Sequence, residues 1–372
     1  MTTRILDRRH FIAAGGALAL GALPRLAGAQ PKPVTVGIIY VGPRDDYGWN
    51  QAHAVAAKAL AATPGVKVVE EENVPETVAV RKTLEGMVQT DGASLVFGTS
   101  FGYFDPFMID MAKKYPKVEF RHPTSLWSKD KHPMNLGGYF CFLDQAHYVN
   151  GIAAGLSTKT NKIGFVAAKP IPIVLRNINA FTMGARSVDP SITVTVIFTG
   201  EWSMAVKEAE ATNSLADQGA DVFTMHVDGP KVIVETAAKR GKFVCGYHAS
   251  QAKLAPAAYL TGAEWNWITP YKIIIDAARS GKPHPNFVRG GLPDGFVKTS
   301  AYGAMVPAAA RKSADDVKAL MMKDSFDIFK GGSAGLKDNT GKVVIPAGKA
   351  FKQTDPTLEG MNYLVEGVIG KA

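Results

Sequence analysis

The chain predicts an α/β protein made of two doubly wound parallel sheets in tandem, and three observations carry that expectation. Short apolar segments rich in Val, Ile and Phe alternate with longer helix-like segments. The alternation breaks near residue 143 and then restarts. Polar and aromatic residues collect in the loops that follow the apolar segments, where open α/β sheets bind their ligands.

Residues 34–40 form an apolar run after Pro33, the pattern of a strand buried on both faces. A loop over 41–48 leads to a helix over 49–62 and a strand over 66–70. Helices over 76–90 and 106–115 flank a strand over 94–98, and 118–120 adds another. Beyond Cys141 the spacing predicts helices over 144–158, 174–187, 208–218 and 230–240. Strands over 162–167, 193–198, 220–225 and 243–247 alternate with them. A strand over 259–267 and a helix over 270–280 are expected to return to the first lobe. A long helix over 314–329 and a hairpin around 343–345, after the turn at 338–341, complete the chain. The expected organisation is 30–143 plus 252–292 as lobe one and 144–251 plus 293–372 as lobe two. A cleft between lobes of this kind closes about a hinge.

The first 29 residues read as a signal peptide. Arg8 and Arg9 precede His10, Phe11 and Ile12; a Gly- and Ala-rich apolar run follows, ending in Ala27-Gly28-Ala29. The paired arginines are the form read by the twin-arginine exporter. The apolar run is about 11 residues, against the roughly 20 of a spanning helix. Export to the periplasm is expected, with a mature chain from near Gln30 and no cysteine there to carry a lipid anchor.

The formal net charge is +9, and the basic residues are spread without a long basic run, which argues against nucleic acid as a partner. Cys141 and Cys245 each sit in a strand-like apolar run and read as buried thiols more readily than as a disulfide. Neither metal-ligand spacing nor a Walker or GxGxxG motif is present in the sequence. No catalytic residue, metal or cofactor is expected.

The candidate ligand-binding residues sit at the predicted strand mouths. Trp49 and Asn50 follow the first strand, Phe101 and Tyr103 the strand over 94–98, and Trp202 the strand over 193–198. Asp228 and Tyr247 follow or end the next two, and Trp265 ends the return strand. Indole and phenyl rings on facing loops suit the stacking of a flat ligand, with Asp228 or Asn50 reading its edge. Phe101 and Tyr103 serve equally as one wall. Asp228 also suits the cap of the helix beginning near Pro230, and His226 and His248 read as packed histidines.

The chain resembles the basic membrane protein family of substrate-binding proteins, which includes purine nucleoside receptors of ABC importers. The matching segments are Val36-Gly37-Ile38-Ile39, Tyr47-Gly48-Trp49-Asn50-Gln51, Ile163-Gly164-Phe165-Val166, Asn179 through Ala185, Gln218 through Val222, and Tyr363 through Val368. The resemblance implies a two-lobed type I periplasmic-binding fold with three crossovers. It also implies partnership with inner-membrane permease subunits, and we expect a monomer. Nucleoside receptors hold the ribose with an acidic residue and a lysine. Here those places read Gly246-Tyr247-His248 and Glu264-Trp265-Asn266, without the matching charges. The expectation is therefore a free, adenine-like purine base, with Trp265 filling the sugar end. Pro170-Ile171-Pro172 with Arg176 resembles one subgroup of the family, and Arg176 is a weaker candidate for the same pocket. The alternatives are a receptor for a nucleoside or another planar metabolite, a sensing module, and, in another class, an enzyme exported folded.

Overall fold

The computed structural model describes residues 32–281 and 285–372; the expected signal peptide lies outside them. In chain order, β1 (Val34–Ile39), α1 (Trp49–Ala61), β2 (Val66–Glu71), α2 (Ala79–Gln89) and β3 (Leu95–Gly98) come first. They are followed by α3 (Ile109–Lys114), β4 (Glu119–His122), β5 (Leu136–Cys141), α4 (Asp144–Gly155) and β6 (Lys162–Ala167). Next are α5 (Pro172–Arg186), β7 (Thr193–Phe198), α6 (Ala205–Asp217), β8 (Val222–His226) and α7 (Lys231–Lys239). Then come β9 (Phe243–His248), β10 (Tyr259–Trp265), α8 (Ile268–Ser280), β11 (Phe287–Gly290) and β12 (Val297–Thr299). The chain closes with α9 (Ala308–Met321), β13 (Leu336–Lys337), β14 (Val343–Ile345), α10 (Pro356–Glu359) and β15 (Val368–Ile369).

Two sheets result. The first has the order β11-β5-β4-β3-β1-β2 and is parallel throughout. The second has the order β12-β10-β9-β8-β6-β7-β15 and is parallel except for β12, which runs against β10. Strands β3, β5 and β8 are buried at every position, as expected of parallel strands covered on both faces by helices. The chain passes between the sheets three times: after β5, after β10 and after β11.

That order corrects one expectation. The strand at 259–265 does not return to the first sheet. It lies beside β9, pairing Gly262 with Gly246 and Ala263 with Tyr247. Leu260, Thr261 and Ala263 are fully buried there, and a strand so enclosed needs neighbours on both edges, which β9 and β12 supply. The return to the first sheet falls to β11. The helix expected over 314–329 also shifts, to Ala308–Met321. Pro307 leads into it, and Asp324 at φ 51° closes the turn beyond it.

Cys141 lies in β5 and Cys245 in β9, on different sheets; both are buried free thiols. Burial pushes the Cys245 thiol up to about 12. Among the described residues no helix is long and apolar enough to cross a membrane.

Candidate functional site

The two sheets meet over a narrow cavity of about 50 Å³. Its lining comes from residues at or just beyond the carboxyl ends of the parallel strands. Trp49 follows β1, Ser100 and Phe101 follow β3, and Pro123 and Thr124 follow β4. Ile171 and Ile173 follow β6, Trp202 follows β7, and His226 and Asp228 end and follow β8. Tyr247 and His248 end β9, and Trp265 ends β10.

One wall is a fixed aromatic block. The Trp49 indole stands edge-on to Trp265, with ring centres 5.8 Å apart, and its Nε1 donates to the Thr99 carbonyl at 2.6 Å. Trp265 stacks on Trp267 at 4.5 Å, and Trp267 stacks on His53 at 4.5 Å. The Trp265 Nε1 donates to His248 Nδ1 at 2.7 Å. Across the cavity, Phe101 and Trp202 face each other at 6.4 Å, tilted by 49°. Lys169 Nζ lies 5.3 Å from the Trp202 ring centre.

Hydrogen bonds to main-chain carbonyls join the halves beside the cavity. Trp49 N donates to the Asp228 carbonyl at 2.9 Å, and Gln251 Nε2 donates to the Tyr47 carbonyl at 2.6 Å. Gly48 permits this approach. A Cβ there would overlap the Asp228 carbonyl oxygen.

Polar groups at the cavity floor stand out because the protein leaves some of their hydrogen-bonding capacity unused. Among the described residues the Asp228 carboxyl has no hydrogen-bond or ion-pair partner. It does not cap α7, which starts at Lys231 behind Pro230 without a side-chain cap. Burial pushes this carboxyl well above the usual range, and the carboxylates of Asp46, Glu76 and Glu208 push the same way against Lys169. The buried Tyr247 hydroxyl has no well-formed hydrogen bond, with only the Asn177 amide close to it. His226 takes a hydrogen bond on Nδ1 from the Asn177 amide at 3.2 Å, and burial keeps its ring neutral.

Trp49, Phe101, Trp202, Asp228, Tyr247 and Trp265 thus border one cavity, whereas three other candidates do not. Asn50 is buried and occupied: its amide donates to Asp46 Oδ2 at 2.8 Å and its carbonyl accepts from Gly42 N. Tyr103 is wholly buried in a separate apolar cluster and donates to the Val74 carbonyl. Of the two rings expected for that wall, Phe101 lines it. Arg176 is 1% exposed rather than solvated. Its Nε lies 3.1 Å from Asp144 Oδ2, and it also bonds Gln353. It lines a neighbouring apolar pocket of about 90 Å³. Sequence reasoning missed the roles of His226 and His248 in the lining, and of Thr124, Ile171 and Ile173. The proline-flanked segments after β4 and β6 were the available signal for the last three. Among the described residues no group of three or more His, Cys, Asp or Glu side chains is placed to hold a metal ion.

Residues 33–326 match the family model described as ABC transporter substrate-binding protein PnrA-like. The chain belongs to the Bmp family. It is 34% identical, over 93% of its length and 95% of the relative's, to a purine-binding protein of Brucella abortus. It is 26% identical to the ABC transporter nucleoside-binding protein BmpA of Lactococcus lactis, over 65% of this chain and 71% of that one. In fold it is similar to an ABC transporter solute-binding protein of Conexibacter woesei. There the TM-score is 0.65 at 22% identity, covering 79% of this chain and 97% of that chain. This Bmp-family chain is therefore the substrate-binding component of an ABC transporter, and it works outside the cytoplasm.

Two variants separate the unpaired cavity carboxyl from structural charge in this Bmp protein. Asp228→Asn is expected to raise the melting temperature of the ligand-free chain at neutral pH by about 2 °C or more. The native-state carboxyl holds its proton more tightly than the unfolded chain does. It therefore favours the folded state at low pH and costs stability as pH rises toward its folded-state value. Thermal melts at pH 5 and 7.5 check this; the gain should shrink at the lower pH. Arg176→Ala leaves Asp144 buried without its partner and is expected to cost about 3–5 kcal/mol, read by urea denaturation.

Proposed function

We propose that this chain is a periplasmic receptor that closes on a free purine base, adenine-like in shape, and passes it to an ABC permease. The observation that carries the reading is the unpaired Asp228 carboxyl at the floor of a slit walled by indole and phenyl rings. A flat heterocycle fills such a slit by stacking, and its N–H groups are the partners a buried carboxylate lacks. The purine-binding relative in Brucella abortus supports the same ligand class. Trp265, held by Trp267 and His248, is the residue this reading assigns to the sugar end of the pocket. This favours base over nucleoside.

Thermal shift with adenine, hypoxanthine, guanine, uracil, adenosine and inosine tests the reading. Adenine at about 100 times its Kd should add roughly 2.7 kcal/mol of stability. Adenosine should add little, and Trp265→Ala should restore an adenosine shift. A shift with adenosine on the native chain as large as that with adenine would overturn the preference for the base. Silence from every purine would overturn the ligand class.

Binding should also move protons. A ligand N–H pairs with the ionised carboxyl, so binding expels the proton that the raised affinity of Asp228 retains in the free protein. Affinity is expected to rise with pH until Asp228 is ionised in the free chain. Calorimetry in buffers of different ionisation enthalpy should show proton release, and Asp228→Asn should abolish it.

A further inference from the structure

We infer that His226 is a hydrogen-bond donor that this site offers its ligand beside Asp228, held in the required tautomer by Asn177. The inference rests on the purine reading above and deepens it by assigning the second half of the edge that Asp228 reads.

His226 is the last residue of β8, and Asp228 lies two positions on. Asp228 lies in the bend that follows the strand, and both side chains border the cavity. The Asn177 amide nitrogen carries only hydrogens to share, so the His226 Nδ1 it faces at 3.2 Å must present a lone pair. The ring is buried and neutral, with His147 on α4 adding to the penalty against a second proton. Its single proton therefore sits on Nε2. Among the described residues that nitrogen has no protein partner. Tyr247, 4.5 Å away, and His248, 6.1 Å away, pack against the ring from β9 and limit its rotation.

The floor thus offers a donor at His226 beside an acceptor at Asp228. The matching ligand edge is a ring nitrogen with a free lone pair next to an N–H. Purine bases present such edges; a hydrocarbon ring or a fully N-alkylated base does not. A buried donor left unpaired costs far more than a lost methylene contact, so ligands without that lone pair should be rejected strongly.

Calorimetric titration of the full chain with adenine and with 1-deaza-, 3-deaza- and 7-deazaadenine tests this. Each analogue replaces one ring nitrogen by CH. One analogue should bind at least tenfold more weakly than adenine to the native chain. That penalty should vanish in His226→Leu and persist in His226→Gln, which keeps a donor. If adenine binds but all three analogues match it, or if the penalty survives in His226→Leu, the donor assignment is overturned. A second readout is independent of the ligand. Nitrogen NMR of labelled histidine should show His226 protonated at Nε2 in the native chain and a mixture of tautomers in Asn177→Leu. Protonation at Nδ1 in the native chain would overturn the assignment. If the native chain binds no adenine, the purine reading fails, and the imidazole spectrum still decides the role of His226.

Discussion

The cavity depends on one close approach of backbone to backbone. Trp49 N reaches across from the first half to the Asp228 carbonyl of the second, through a glycine that has no Cβ to obstruct it. The same residue then sends its indole back to the Thr99 carbonyl at the end of β3. Trp49 is thereby tied to both halves at once, through its main chain on one side and its side chain on the other. Gln251 reinforces the junction from β9 by bonding the Tyr47 carbonyl and, within its own half, the Tyr247 main chain. Ring positions, cavity width and the approach of Asp228 to the aromatic block all follow from this junction.

Around it, polar side chains divide into two kinds. Asp46 gathers the main-chain amides of Gly48, Asn50 and Gln51 and the Asn50 side chain, so its charge is spent on shaping the turn. Arg176 and Asp144 neutralise each other inside the second half, and Gln353 ties the C-terminal segment to them. Asp228, His226 and Tyr247 instead keep capacity that the fold does not use. Leaving buried donors and acceptors unpaired costs about 1–3 kcal/mol each. A chain selected for stability alone would pair or replace them. Their grouping on one floor suits the proposed ligand, which would supply the missing partners.

Much of this architecture was legible in the sequence. The alternation of buried strands and amphipathic helices fixes the class, because a parallel sheet covered on both faces writes itself as continuous apolar runs such as Val96-Phe97 and Phe223-Thr224-Met225. Strand mouths were legible for the same reason, and six of the nine candidates border the cavity. The exceptions share a cause. Asn50, Tyr103 and Arg176 lie near the right strand ends, but which way a side chain turns there is set by tertiary partners: Asp46, Val74 and Asp144. The neighbour of β10 was illegible because a parallel strand carries no local mark of which sheet it joins. His226 escaped notice because a histidine ending a buried strand looks the same whether its outer nitrogen meets protein or an open cavity.

The two walls of the slit differ in rigidity, and that asymmetry bears on selectivity. Trp265, Trp267 and His53 form a continuous stack, and its far end is anchored by the 2.7 Å contact between His53 Nδ1 and the Tyr271 hydroxyl. Rotating Trp265 aside would break its bond to His248 and its stacking on Trp267 together. Rings in such pairs are worth about 0.5–1.5 kcal/mol beyond their burial, and the hydrogen bond adds roughly as much again. Phe101 is 41% exposed, and it meets Trp202 only at a tilt. That side can part at little cost. On the proposed reading a ligand enters past Phe101 and Trp202, and its length is measured against a Trp265 wall that does not yield. Exclusion of bulk at that end then needs no charged reader, only an aromatic ring whose alternatives are each more costly than its place.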